Sequence, residues 1–568
     1  MHLPRYEKNR VNIGQLLDIV TDQFSDKQFL KYHKSGINQT YRQIQEISND
    51  AAKGFMALGI NKGDHVALWA NNIPEWIYAK FAIAKAGGVI VTVNTSLRCF
   101  EMEYLIRQSD ATTLVMVGGV REGDEYVKII QTLCPELKTS FPGKLNSRLF
   151  PKLKNIVLLE DDNHPGIITW KEMIKLGKQT SNEALKIRQD SVNSEDIVNI
   201  LYTSGTTGSP KGVMLSHKNI IGNAHSLARN LGLYSRDIVC VPVPFFHCFG
   251  CVAGILSCLV SGSTLCPIPS FSPREVLETV QELQCTVIHG VSTMFLAEME
   301  EMTTKKYDTT SLRTGIIAGA TVTPQLMQQI IAVMGISELS IAYGQTETSP
   351  AITATNSNDS IEKRFETVGR PLPGVEVRVV KPSGEEVATG SQGELCVRGY
   401  NVMKGYYKKP EATQTAIDDS GWLHTGDLGR LDEDGYCIIT GRIKDVIIRG
   451  GENIYPVEIE TFLLTHPDIM EVQVVGVPDE KYGEQVHAFV KLSSHKSIIE
   501  EELKDYCKNK IAFHKIPTCF IFTRKYPTTA SGKVQKFKLV EQVLEKMQQN
   551  KSEGIPSGVS EADVVSNP

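Results

Sequence analysis

Residues 202–212 read YTSGTTGSPKG. Three glycines, three threonines, two serines and a proline in eleven residues rule out a helix or strand interior. The run before it, IVNILYT at 197–203, is apolar and β-branched and predicts a strand, and a helix is predicted from about Ser216. A glycine- and hydroxyl-rich loop between strand and helix presents backbone N–H groups and hydroxyls to phosphate oxygens, and Lys211 adds charge. Thr203, Ser204, Gly205, Thr206, Thr207, Gly208, Ser209, Pro210 and Lys211 therefore form a candidate phosphate loop. It is not a Walker A motif, because GxxxxGK[ST] needs four residues between its first glycine and Gly-Lys, and this segment lacks that spacing. A phosphotransferase of that type is excluded.

Working outward, strand and helix patterns alternate. HVALWAN at 65–71 reads as a strand, Pro74 opens the amphipathic helix PEWIYAKFAIAKAGG, and VIVTVN follows its glycines. IVCVPV, TVIHG, GIIAG and LSIAYG repeat the rhythm. The fold class is α/β: two doubly wound lobes, whose ligands lie at the carboxyl ends of parallel strands. From about Val375 short runs (VEVRVV, GELCVRG, YCIITG) predict a β-rich lobe, and beyond GRIKD a mixed α+β unit follows. The expected division is an N-terminal domain over 1–440, a hinge at 441–445, a mobile C-terminal domain over 446–545 and a disordered tail over 546–568.

The bulk composition agrees with a large multi-lobed enzyme. The chain has 568 residues, 41% hydrophobic and 22% charged, with a net charge of −5. No basic excess points to nucleic acid. Twelve cysteines without regular spacing fit a reducing compartment, and the absence of signal or transit features leans cytoplasmic. Apolar runs are too short for a membrane span, which leaves peripheral contact open.

Four further blocks stand in order with the loop: YGQTE at 343–347, WLHTGDLG at 422–429, GRIKDVIIRGGENIYPVEIE at 441–460 and PTTASGKVQK at 527–536. Together with YTSGTTGSPKGVMLSH they resemble the adenylate-forming superfamily of acyl-CoA synthetases, luciferases and peptide-synthetase adenylation domains. The resemblance runs from about residue 40 to 540. PFFHCFG, IRGGENIYP and SGKVQKFKL most resemble the medium-chain fatty acyl-CoA ligase branch.

That resemblance implies two half-reactions. A carboxylate and ATP give acyl-AMP and pyrophosphate, and the thiol of coenzyme A then displaces AMP. The first step joins two anions, so charge must be neutralised and the reactants held in line. The resemblance implies that Lys533 touches both the carboxylate and the α-phosphate, that Thr346 donates to the α-phosphate, and that Glu347 with Thr203 holds Mg²⁺. It places Asp427 and Arg442 on the ribose, and Ala318, Gly319 and Ala320 against the adenine beside Tyr343, Gly344 and Gln345. Lys444 takes the pivot position, and Gly450 and Gly451 line the pantetheine path after the small domain has turned. Phe246 and His247 border the acyl site.

Cys248 and Cys251 form CxxC beside His247, but no second pair at zinc-like spacing follows, and GCVAGILSCLV reads as a buried helix. No aspartate stands in PFFHCFG to meet a substrate ammonium, so the channel suits a fatty acid. Ser292 replaces the proline common in the family at that place, which alters the local channel. Expected substrates are fatty acid, ATP and coenzyme A, with the protein a monomer or homodimer. Two other readings share the blocks: an acyl-AMP ligase loading a carrier protein, and a catalytically silent nucleotide-binding protein. Lys533, Glu347 and Asp427 argue against silence.

Overall fold

The computed structural model describes residues 10–552, apart from 121–122, 204–209, 321, 480, 494–495, 509 and 530–532. Ser204, Gly205, Thr206, Thr207, Gly208 and Ser209 of the candidate loop thus lie outside the described residues.

Two large sheets form the N-terminal part. One has eight strands with Val89–Thr92, His65–Trp69, Ala111–Met116 and Asn155–Leu158 parallel at its centre. The other has nine, with Thr264–Pro267, Ile238–Val241, Val287–Gly290, Thr314–Ala318 and Glu338–Gly344 parallel. Antiparallel strands finish both edges of the nine-stranded sheet and one edge of the eight-stranded sheet, whose other edge is the short parallel strand Ile168–Thr169; helices separate most consecutive parallel strands, as in a doubly wound α/β architecture. The expected β-rich lobe is a four-stranded antiparallel sheet of Val375–Val380, Gly393–Gly399, Leu423–Leu431 and Cys437–Arg442. The C-terminal part builds five strands around Ile469–Asp479 and Gly483–Leu492. It has its own core, with Ile447, Ile454, Leu463, Val474 and Val486 buried together.

Four local expectations need correction. The helix expected from about Ser216 is present, but a strand that was not expected precedes it. Ile197–Thr203 pairs antiparallel with this second strand, Lys211–Ser216, in the register Thr203↔Lys211. KGVMLS, mostly buried, pairs as a strand; helix His217–Asn230 begins after Ser216, whose hydroxyl accepts the Asn219 N–H. Second, Pro74–Lys85 is not amphipathic. Every residue except Glu75 is buried, Lys80 and Lys85 included, because the helix is sandwiched between helices Ile13–Phe24 and Tyr41–Ala57 and the sheet.

Third, the buried helix after His247 is a π-helix over Phe249–Leu256 that passes into α-helix at Ser257–Ser261. Gly250 is needed there, since a Cβ would stand 2.2 Å from the Pro244 carbonyl oxygen. Fourth, the tail set at 546–568 starts too early: helix Lys536–Ser552 carries the chain past Lys546, with Leu539 and Val543 buried against Val475, Val477 and Phe489. No helix among the described residues is long and apolar enough to cross a membrane.

Candidate active site

The carboxyl ends of the nine-stranded sheet, the β-rich sheet and the C-terminal part enclose a cleft of about 1740 Å³. Ser292, Gly319, Ala320, Tyr343, Gly344, Asp427, Arg442, Lys444 and Lys533 line it. Residues from four separate sequence blocks therefore meet at one place.

Each side chain is delivered by its own element. Strand Thr314–Ala318 ends at Ala318, and Gly319 turns with a φ of +85°, leaving its backbone bare toward the cleft. Strand Glu338–Gly344 brings Tyr343 and Gly344 to the same edge; Gly344 packs so tightly that a Cβ would lie 2.0 Å from the Pro350 carbonyl oxygen. Gln345 then caps the 3₁₀ turn Thr346–Thr348, donating its backbone N–H to the Thr348 hydroxyl at 3.1 Å.

Asp427 and Arg442 are cross-strand partners in the β-rich sheet. The Asp427 carboxylate is almost fully buried; Oδ1 lies 2.9 Å from Arg442 Nε and Oδ2 accepts the Tyr343 hydroxyl at 2.7 Å. Each carboxylate oxygen keeps a further lone pair for another hydroxyl, as a ribose diol would need. Burial and the adjacent Asp427 push the Tyr343 phenol well above its usual pKa, so it stays a donor.

Glu347 accepts the Tyr406 hydroxyl on Oε1 at 2.9 Å, and its backbone carbonyl takes Met403 N–H at 2.9 Å. Tyr406 was not anticipated from sequence. It lies 59 residues downstream, on a two-residue strand paired with Met214 and Val213, and GYYKKP carries no signal beyond an aromatic before a lysine pair. Lys211 Nζ sits 4.8 Å over the Tyr406 ring, which ties the hairpin base to Glu347. Thr203, at the other side of that base, directs Oγ1 toward Lys211 O at 3.5 Å. Pro210 O accepts the Tyr104 hydroxyl at 2.9 Å.

Lys533 reaches in from the C-terminal part. Its Cε comes within 3.3 Å of where a Cβ on Gly319 would be. Lys533 is exposed as a residue, with the end of its side chain inside the open cleft. Burial and then the Arg442 charge lower its pKa from the ordinary lysine value, while Cys248, Asp427 and Glu347 oppose the shift. His247 is half-buried, and its Nε2, shielded from solvent, has no hydrogen-bond partner among the described residues. Burial and the Lys533 charge hold its pKa down at about 3, so the ring is neutral. The Phe246 ring packs 4.6 Å away. Burial drives the pKa of Cys248, next in sequence, well up, with nearby Thr346 opposing the rise.

Among the expected residues, Thr203, Pro210, Lys211, Phe246, His247, Ala318, Gln345, Thr346 and Glu347 do not line this cleft, nor do two glycines of the C-terminal part. Gly450 and Gly451, with φ of +59° and +88°, form the two-residue turn joining Ile447–Arg449 to Glu452–Ile454, and Gly450 N–H donates to Tyr482 O at 2.8 Å. Neither lines the cleft. Lys444, at its rim, has a pKa lowered by burial and by Arg442.

The chain matches the AMP-binding enzyme family over residues 17–407 and the AMP-binding enzyme C-terminal domain over 458–533. It belongs to the AMP-binding enzyme family. It is 50% identical over 534 residues to YngI of Bacillus subtilis (strain 168), provisionally named an acyl-CoA synthetase, covering 94% of this chain and 97% of that one. It is 39% identical over 533 residues to the medium-chain acyl-CoA ligase ACSF2, mitochondrial, of Danio rerio, covering 93% and 88%. Among solved structures, the anthranilate CoA ligase AuaEII in complex with anthranoyl-AMP superposes with a TM-score of 0.83 at 25% identity, covering 95% of this chain and 98% of that one. The adenylate-forming fold and ligase class expected from the sequence hold for this member of the family.

Proposed function

We propose that this AMP-binding enzyme activates a medium-chain fatty acid as its acyl-adenylate and then transfers the acyl group to coenzyme A. The observation that carries the reading is the convergence of Lys533, Asp427, Arg442 and Gly319 on one cleft, with neutral His247 within electrostatic reach of Lys533. In adenylation the carboxylate oxygen attacks the α-phosphorus of ATP and pyrophosphate leaves with its electron pair. Lys533 offsets the repulsion between those anions, and Thr346 donates to the α-phosphate. Asp427 accepts the ribose hydroxyls while Arg442 braces it. His247 and Phe246 close the apolar end around the carboxylate, where a neutral ring adds no charge to desolvate. The sulfur of coenzyme A then attacks the acyl carbon, and AMP departs as the leaving group.

The residues also fit Mg²⁺. Glu347 and Thr203 offer hard oxygen donors, and only one Glu347 carboxylate oxygen is engaged by protein among the described residues. When bound, the ion would neutralise phosphate charge. The C-terminal unit at 446–545 is read as the moving part, with Lys444 in the hinge at 441–445 and residues 1–440 as the fixed part. Eleven free thiols, Cys519 apart, support a cytoplasmic setting.

The test is pyrophosphate release across acids of C4 to C18, with and without coenzyme A. Release that needs acid and Mg²⁺, peaks at medium length, and yields acyl-CoA is expected. Acyl-AMP without any thioester on free coenzyme A would replace this reading with carrier-protein loading.

A further inference from the structure

The β-rich sheet carries a mixed-donor cluster that the ligase chemistry leaves unused. Strand Gly393–Gly399 pairs antiparallel with Leu423–Leu431, placing Cys396 directly opposite His424. The register shifts between that pair and Glu394↔Leu428, a bulge that swings Glu394 toward the same spot. A carboxylate oxygen, a sulfur and an imidazole nitrogen thereby lie within 4.8 Å of one another.

Their spacing can be compared with a tetrahedral ion. His424 Nδ1 is 3.5 Å from Cys396 Sγ and 2.8 Å from Glu394 Oε2. Zinc with ordinary bond lengths would hold sulfur and nitrogen about 3.6 Å apart and nitrogen and oxygen about 3.4 Å apart. The first distance is already met, and the second needs a modest opening of the Glu394–His424 pair. Both of those side chains keep some solvent exposure while Cys396 is buried, so the cluster has a deep sulfur and an open rim.

The surroundings suit a divalent cation. Asp418 Oδ2 lies 3.9 Å from His424 Nε2 on the ring's far side, where an outer carboxylate orients a metal-bound histidine. Arg378 holds Asp418 at 3.1 Å and stacks 4.3 Å over the Trp422 ring. Two carboxylates, a thiolate and one guanidinium sum to a charge of −2, which a doubly charged ion neutralises. Sulfur with nitrogen and a single carboxylate fits zinc, whereas magnesium and calcium take oxygen ligands throughout.

We propose that Glu394, Cys396 and His424 form a zinc site with its fourth position open to water. On binding, the Cys396 S–H bond breaks, its proton passes to solvent and a sulfur–zinc bond forms with no change of oxidation state. Glu394 Oε1 also accepts Gly426 N–H at 3.0 Å, so the site abuts the residue before Asp427.

Titrating the full-length, chelator-stripped protein with Cd²⁺, read by the ultraviolet thiolate-to-cadmium band, tests this. One equivalent should bind and be displaced by Zn²⁺. Cys396→Ser should abolish the band, and His424→Asn should weaken binding at least tenfold, with thermal midpoints recorded for both. Should Cys396→Ser fail to fold, Glu394→Gln replaces it, with at least fivefold weaker binding expected. No band in the unaltered protein, or affinity untouched by these substitutions, overturns the proposal.

Discussion

Replacing Lys533 by alanine removes a side chain of the C-terminal part that approaches Gly319 in the cleft, 3.3 Å from Cε to a would-be Cβ. What is lost can be sized from the geometry. An ammonium about 4 Å from one anionic oxygen, at an effective dielectric near 20, is worth about 4 kcal/mol. At 1.36 kcal/mol per decade that is about a thousandfold in rate. The open cleft and the nearby Arg442 charge both weaken the effect, by screening and by supplying some positive potential of their own. Adenylation, followed as pyrophosphate release, is therefore expected to fall about 10² to 10³-fold in Lys533→Ala. Thioester formation from supplied acyl-AMP should fall less than about tenfold, because the anion–anion encounter is already past by then. Lys533→Arg keeps the charge but spreads it over a planar fork too large for the same approach, so it should recover only part of the first rate. Equal losses in both half-reactions would refute the reasoning, since a lysine that merely stabilised the closed cleft would slow them together.

Three other outcomes are expected. Adenylation needs the Lys533 ammonium, and burial with Arg442 lowers its pKa, so the rate should decline as pH rises through a value below that of ordinary lysine; Arg442→Gln should move that alkaline limb upward in a pH profile of pyrophosphate release, and a stationary limb would disconnect the two residues. Tyr406→Phe deletes the 2.9 Å hydrogen bond to Glu347, worth about 1.5 to 3 kcal/mol to a charged acceptor, and should raise the Mg²⁺ concentration for half-maximal activity about tenfold; unchanged Mg²⁺ dependence would remove Glu347 from the metal reading. Asp237 is fully buried, accepting from Arg313 at 2.7 and 3.1 Å, Thr286 at 2.7 Å and Tyr234 N–H at 3.0 Å, so Asp237→Ala should cost about 3 to 5 kcal/mol in unfolding; a loss below about 1 kcal/mol would mean the Arg313 charge finds water instead.

Where the sequence was readable, a local pattern carried the information. TVIHG, GIIAG and LSIAYG announce parallel strands beside glycines, and Gly319 and Gly344 mark places where the backbone must come close to something. What escaped depends on neighbours distant in sequence. Nothing within PEWIYAKFAIAKAGG shows that helices Ile13–Phe24 and Tyr41–Ala57 will cover its polar side, so Lys80 and Lys85 look exposed until packing buries them. KGVMLS was absorbed into a loop-to-helix reading because a six-residue strand beside a capped helix has too little periodicity to separate the two. Tyr406 on Glu347 and His424 beside Glu394 are pairings 59 and 30 residues apart, legible only once the strands are in register.

The C-terminal part presents a geometric constraint that its sequence blocks share but cannot express. Lys533 lies in the cleft, whereas the Gly450–Gly451 turn, in the same five-stranded unit with a core of its own, sits outside it beside Tyr482. A unit packed around its own core moves as a body more readily than it deforms, so bringing the glycine turn to the acyl-phosphate centre would carry the lysine away. If both serve one reaction, they must serve it in turn. The junction at Ile443–Asp445 is a single 3₁₀ turn whose Lys444 faces the cleft rim, short enough to absorb a large change in backbone angles without unpicking either sheet. On the proposed reading the order follows from the chemistry: the ammonium is needed while two anions are forced together, and its departure would open the space through which a thiol approaches.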